Sequence, residues 1–181
     1  ILPIFMEIQY LGHSAFRFKG KSTVLVTDPF DPKSIGLNFA KVDATIVTSS
    51  HDHDDHNALK FVEGTFKEVV GPGEYEIGGT SILGIPSFHD DKEGEERGRN
   101  TIYVFNIDGI TICHLGDLGH KLSEDQVGEI GQIDILLVPV GGIYTIGPNQ
   151  ALETVSRLEP KIVLPMHYKT AGLKYELGSV E

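Results

Sequence analysis

Ser49-Ser50-His51-Asp52-His53-Asp54-Asp55-His56 follows directly on the apolar run Ala44–Thr48, whose residues are Ala-Thr-Ile-Val-Thr. That run reads as a strand, and the loop after it places three histidines and three aspartates at positions 51–56. Six such residues make a poor core, and capping a following helix needs only one of them. Imidazole and carboxylate are instead the ligand types that suit Zn, Fe or Mn. His51 and His53, two apart, can converge on one centre, while the adjacent Asp55 and His56 can turn to a second beside it. Asn57-Ala-Leu-Lys then resembles the start of a helix, giving a strand, a ligand-bearing loop and a helix, a rigid mount for a site.

Two metal ions need more ligands than this segment holds, and the other histidines supply the test. His89 follows the apolar stretch Ser81–Phe88, Asp117 follows Ile110–Leu115, and His167 follows Lys161–Leu164. Each falls just past the end of an expected strand, where strand ends would share one rim. His114 lies within its strand and reads as a hydrogen-bonded core histidine, with a role as alternative third histidine ligand in place of His89. His120 reads equally as a pocket-lining proton donor and as an ordinary loop residue, and His13, in a turn, is equally open. Asp90–Arg97 reads as a solvated loop, with a lid over the site as the lesser alternative.

Short strand-like runs dominate the first half: Glu7–Tyr10, Ala15–Phe18, Thr23–Thr27 and Ala44–Thr48, punctuated by Gly12, Gly20 and Asp28-Pro29. Val69–Gly71, Tyr75–Ile77 and Thr80–Ile85 continue the pattern. Thr101–Ile107 and Ile110–Leu115 flank Asp108-Gly109, a hairpin turn pair. Helices enter later: Ser123–Glu129 has a serine cap and acidic first turn, and Pro148–Leu158 carries Leu152, Val155 and Leu158 at helical spacing. Ile133–Val140 reads as a strand buried on both faces. The glycine-rich stretch Gly71 to Gly79 has the wrong spacing for a dinucleotide fingerprint.

The 181 residues suit one domain, and 40% hydrophobic content is globular. A formal net charge of −11 argues against nucleic-acid or anionic-membrane binding through bulk charge. Cys113 is the single cysteine, so neither an intramolecular disulfide nor a cysteine-rich zinc module is available. No apolar run approaches the roughly 18 residues of a membrane span. Ile1 to Phe5 lacks the features of a secretory signal, and Met6 reads as the natural start, with the five residues before it as a remnant. The expectation is a cytoplasmic protein with one domain over residues 6–181.

His51-x-His53-x-Asp55-His56 resembles the signature of the metallo-β-lactamase superfamily. Leu11-Gly-His13-Ser-Ala-Phe, Asp28-Pro-Phe, Leu115-Gly-Asp117-Leu-Gly, Pro139-Val-Gly-Gly and Leu164-Pro-Met-His167-Tyr extend the resemblance from Met6 to about Thr170. It looks most like the branch related to L-ascorbate-6-phosphate lactonase. The resemblance implies an α/β fold, a four-layer αββα sandwich with the site at one edge. It implies two divalent metal ions, with Zn favoured and Mn or Fe fitting the same ligands. His51, His53 and His89 would bind the first, Asp55, His56 and His167 the second, and Asp117 would bridge them. Asp28 would orient the histidine loop, and the resemblance leans His13 towards the site.

Two metals sharing one water lower its pKa from about 16 towards about 7, which makes a hydroxide available at neutral pH. The expected activity is hydrolysis of a lactone or related ester, with a phosphodiester as the alternative. Asp55 or Asp117 would relay a proton and His120 would protonate the leaving group. The expected partner is a small-molecule substrate, with a homo-oligomer compatible with the sequence. Two other classes compete. Di-iron oxidoreductases of the superfamily typically carry glutamate where this chain has His53, and work with a flavin module absent here. A metal-binding sensor without turnover would not require so complete a ligand set.

Overall fold

The computed structural model describes residues 6–180, so the stretch Ile1 to Phe5 lies outside the described residues. In chain order the elements are β1 (Glu7–Gly12), β2 (Ala15–Lys19), β3 (Val24–Thr27), α1 (Pro32–Ile35), β4 (Val42–Asp43), β5 (Ile46–Ser49), β6 (Val62–Glu63) and β7 (Lys67–Val70). There follow β8 (Gly73–Ile77), β9 (Thr80–Phe88), β10 (Arg99–Ile107), β11 (Ile110–His114), α2 (Glu124–Ile130), β12 (Ile135–Pro139), α3 (Pro148–Leu158) and β13 (Ile162–Met166). One sheet runs β1-β2-β3-β5-β7 and the other β13-β12-β11-β10-β9-β8, and β4 pairs with β6 separately. Both large sheets are mixed: each begins with antiparallel hairpins and passes to parallel strands.

Three apolar clusters fill the three spaces of an αββα sandwich. Phe16, Phe18, Leu25 and Ile46 of the first sheet meet Tyr103, Phe105, Ile112 and Leu137 of the second. Ile102, Cys113, Leu136 and Val138, on the opposite face of the second sheet, pack under Ile130 of α2 and Ala151 and Leu158 of α3. Alternating side chains therefore serve two cores from one sheet, as the period of two requires. The outer face of the first sheet is covered by a thinner layer, in which Ile35 of α1, Phe30, Leu173 and Leu177 pack on Val26 and Val47.

The helix termini and the hairpin follow local chemistry. Ser123 caps α2 in a reciprocal box with Gln126. Asp108 and Gly109 both take positive φ, 53° and 82°, as the tight hairpin between β10 and β11 demands. The helix expected from Asn57 does not form. The Ala58 N–H donates instead to the Pro29 carbonyl at 2.7 Å, and only a single 3-10 turn, Leu59–Phe61, follows. Among the described residues, no helix is long and apolar enough to cross a membrane.

Candidate metal centre

The strand ends of both sheets deliver the histidines and aspartates to one edge. His51, His53, Asp55 and His56 come from the loop after β5, His89 from the end of β9, Asp117 from the loop after β11, and His167 from the loop after β13. Ring nitrogens of His51, His53 and His89 lie within 4.8 Å of one another. Ligand atoms of Asp55, His56, His167 and His13 form a second such group, and those of His51, His56 and Asp117 a third. The third shares His51 with the first and His56 with the second, so Asp117 stands between them. Its Oδ2 is 3.1 Å from Nε2 of both His89 and His167, 3.2 Å from that of His56 and 3.9 Å from that of His51.

Buried groups behind the centre fix its histidines. Asp28, fully buried, accepts from the Ser50 N–H at 2.8 Å and the Ser50 hydroxyl at 2.6 Å. His56 Nδ1 is 2.8 Å from the same carboxylate, and His51 Nδ1 is 2.9 Å from Ser50 Oγ. A carboxylate only accepts, so His56 donates through Nδ1. The serine hydroxyl is already donating, so His51 does the same. Both rings consequently turn Nε2 inward, the atom a metal would take once it carries no proton. Asn100 performs the matching task for the aspartate, accepting from the Asp117 N–H at 3.0 Å while its amide donates to Ser87 Oγ and the Leu115 carbonyl. The backbone is strained here too. His13, Asp28 and His167 all carry positive φ between 43° and 54°, a conformation uncommon for non-glycine residues and concentrated at functional sites.

The electrostatics call for cations. Burial lowers His51 to about 3 and His13 to about 4, which keeps their rings neutral. Burial works against charge on His56 as well, but Asp117, Asp55 and Asp28 outweigh it and hold this imidazole well above its ordinary value. Burial likewise raises Asp55 and Asp117, yet surrounding imidazoles hold both well below the usual carboxylate range. His51 Nε2, His56 Nε2 and Asp117 Oδ1 are buried with no hydrogen-bond partner among the described residues. Orphaned polar atoms at the meeting point of three donor groups are costly unless something binds them. A pair of divalent metal ions fits this donor set.

His114 is the hydrogen-bonded core histidine that the sequence suggests, so its alternative role falls, and the proton-donor expectation for His120 is corrected. His114 is no ligand: Nε2 donates to the Ser14 carbonyl at 2.9 Å and Nδ1 accepts from the Gly116 N–H at 3.0 Å, so both nitrogens are spent on backbone. His89 is the histidine brought to the cluster. His120 is no proton donor to the site: its Nε2 accepts from the Phe88 N–H at 3.1 Å and its Nδ1 donates to the Lys121 carbonyl at 2.8 Å. The ring braces two loops and does not line the cleft. His13, by contrast, joins the centre, 3.1 Å from Asp55 Oδ2. Cys113 is buried in the second core and burial pushes its thiol up, so it offers no nucleophile. Arg97, Tyr144 and Tyr175 also line the cleft over the centre, about 540 Å³ in volume, and no motif flagged them.

A two-sheet αββα sandwich that gathers histidines and aspartates at its strand ends is the architecture of the metallo-β-lactamase fold. Residues 7–167 match the family model described as a beta-lactamase superfamily domain. A Staphylothermus marinus protein named UPF0173 metal-dependent hydrolase is 33% identical, over 90% of this chain and 83% of the relative. One of the same family from Thermococcus kodakarensis is 30% identical, over 91% and 85%. A crystal structure from Thermotoga maritima, assigned as a zinc-dependent hydrolase of the metallo-β-lactamase superfamily, superposes with a TM-score of 0.82 at 45% identity, over 97% of this chain and 82% of that one. The chain belongs to the UPF0173 metal-dependent hydrolase family of the metallo-β-lactamase superfamily.

Proposed function

We propose that the protein uses two divalent metal ions, preferably zinc, to hydrolyse an ester bond of a small molecule, with a lactone or related cyclic ester as the preferred substrate. The observation that carries this reading is the position of Asp117 Oδ2, within 3.1–3.9 Å of the Nε2 atoms of four histidines. One carboxylate shared between two histidine groups is the donor set of a dinuclear centre. His51, His53 and His89 would hold one ion and Asp55, His56 and His167 the other, with Asp117 shared. When bound, such ions acidify water and polarise the oxygen of a scissile ester.

The chain's own groups supply the rest. Asp28 and Ser50 keep His51 and His56 in the ligating tautomer. Asp55 lines the cleft with its side chain 13% exposed, and Asp55 or Asp117, which also lines it, would relay the proton of the attacking water. His13 holds Asp55 in place through Oδ2. Tyr144 and Tyr175 wall the cleft, whose volume suits a small-molecule substrate.

The test is metal content by mass spectrometry on protein purified without a metal-affinity tag, beside a His51→Ala/Asp117→Ala variant, followed by lactone, aryl ester and phosphodiester panels. The expected result is about two ions per chain, lost in the variant, with lactone or ester turnover that follows metal content. One ion or none after reconstitution with Zn, Mn and Fe would sink the dinuclear reading. Turnover confined to phosphodiesters would replace the substrate class.

A further inference from the structure

We propose that Arg97 makes this an enzyme for anionic esters: its guanidinium binds a carboxylate or phosphate carried by the substrate away from the scissile bond. The inference rests on the ester-hydrolase reading and adds to it the charge of the substrate.

The cleft is lined by Asp52, Asp54, Asp55 and Asp117 together with histidines and tyrosines, and among the described residues Arg97 is the one lysine or arginine on its wall. In a chain of net charge −11, a cation at the mouth of the site is out of keeping with its surroundings. It has no structural employment that accounts for it. Its closest carboxylate is the neighbouring Glu96, at 3.5 Å from Nη1, and that glutamate is engaged more closely by Lys92. The guanidinium lies over the Tyr144 ring at 5.8 Å, with its side chain about one-third exposed. This cation–π contact places the guanidinium beside Tyr144, and only the long bond from Nη1 to Glu96 competes with a bidentate anion for the fork.

The mount is as telling as the side chain. The loop between β9 and β10 is not a slack solvated segment. Asp90, 2% exposed, accepts from the backbone N–H groups of Lys92, Gly94, Glu96 and Arg97, at 2.7–3.0 Å. One carboxylate therefore fixes the backbone of Arg97 next to the ligand His89. A loop tied this firmly holds Arg97 in one position, which removes ordering cost at the moment of binding. The carboxylates on the wall do not compete equally for it: Asp52 is bonded to the Asn57 amide, and Asp54 faces Ser34.

The experiment compares zinc-loaded wild type with Arg97→Ala and Arg97→Lys on two matched substrates: the p-nitrophenyl monoester of glutaric acid and its methyl-capped neutral diester. Glutarate binding to the same zinc-loaded proteins, read by calorimetry, is a second measurement that needs no turnover. In Arg97→Ala, kcat/KM for the anionic ester falls on the order of tenfold to a hundredfold, chiefly through KM, as loss of a charge-assisted hydrogen bond predicts. The neutral ester stays within about threefold, because only a uniform-binding contact is lost. Arg97→Lys recovers part of the loss as a point charge without the fork. Equal effects on both esters, or none on either, overturn the proposal. If wild type cleaves neither ester, the lactone and phosphodiester panels decide the hydrolase reading separately, and glutarate affinity still decides about Arg97: weakened in Arg97→Ala it stands as an anion site, unchanged it does not.

Discussion

Asp28 touches no cleft and yet sets the chemistry of two ligands. Its carboxylate forces Nδ1–H on His56 directly and on His51 through Ser50. Asparagine there keeps the shape but brings an N–H2 that competes as a donor, which favours Nδ1 lone pairs and turns N–H towards the metals. Asp28→Asn is therefore expected to weaken zinc binding by about 10–100-fold, measured by competition with a chromophoric chelator, with little change in fold. A variant that binds zinc like wild type would show that the tautomers are set elsewhere. The two candidate third histidines separate in the same assay. His89→Ala loses one ion of the pair. His114→Leu keeps both but strands the Ser14 carbonyl and the Gly116 N–H, and denaturant melts are expected to show a loss of roughly 1–3 kcal/mol for each unpaired group. The motif His51–His56 was legible from residue type alone, because no core or cap accounts for so many ligands in one turn of chain. His13 was legible only as a lean that the resemblance gave. A histidine in a turn acquires meaning only when the β1–β2 turn is brought against the loop after β13, where the His167 N–H donates to the His13 carbonyl at 3.1 Å.

Among the elements, period and punctuation carried the reading where the chain is regular. α3 runs from Pro148 to Leu158 as expected, but Leu152 of its expected apolar spacing is 67% exposed while Ala151 and Thr154 face the core with Leu158, and the β10–β11 hairpin follows from Asp-Gly. The reading failed at Asn57–Lys60, where the chain makes a single 3-10 turn, Leu59–Phe61, and then enters β6. It read Asp90–Arg97 as a solvated loop, which the exposure of residues 91–93, 95 and 96 matches, but charged composition cannot reveal that a single buried aspartate organises it. It also missed how that loop meets the one after β11. Gly119 lies so close to His89 and Asp90 that a Cβ would stand 2.3 Å from both backbones, and its N–H donates to the Phe88 carbonyl at 3.0 Å. His120, one residue on, clamps the same strand end through the Phe88 N–H. The two loops thus hold His89 and Asp117 in fixed relation. Gly119→Ala is expected to force them apart, at a cost of about 1–3 kcal/mol or more in unfolding free energy, and to lower zinc affinity with it. His120→Ala, which removes only the brace, should be milder on both counts. If Gly119→Ala lowers stability but leaves zinc affinity intact, the loops are coupled in packing and not in ligation.

For the molecule as a whole, the centre is a seam between halves. The first sheet supplies His51, His53, Asp55 and His56 after β5, with Asp28 behind them after β3. The second supplies His89, Asp117 and His167 after β9, β11 and β13. The apolar interior between the sheets, built on residues such as Phe18 and Phe105, is sufficient to hold them together. At the metal edge, however, imidazoles and carboxylates meet in place of hydrocarbon, and His56 Nε2 and Asp117 Oδ1 are left unsatisfied. That edge is the place where the empty protein should open first, because buried polar atoms without partners favour hydration. Ions binding only the folded state stabilise by mass action, about 2.7 kcal/mol per site at a hundredfold excess over Kd, and each kcal/mol moves the midpoint of a domain this size by about 2–4 °C. Zinc loading should therefore raise the melting midpoint by several degrees. Hydrogen exchange locates the effect: amides of 49–56 in the first half and of 115–119 and 166–168 in the second should slow together, while β8 and α2, remote from the centre, stay unchanged. Protection confined to 49–56 would mean that the ions sit on one loop and do not bridge the sheets, and Asp117 would lose its shared role.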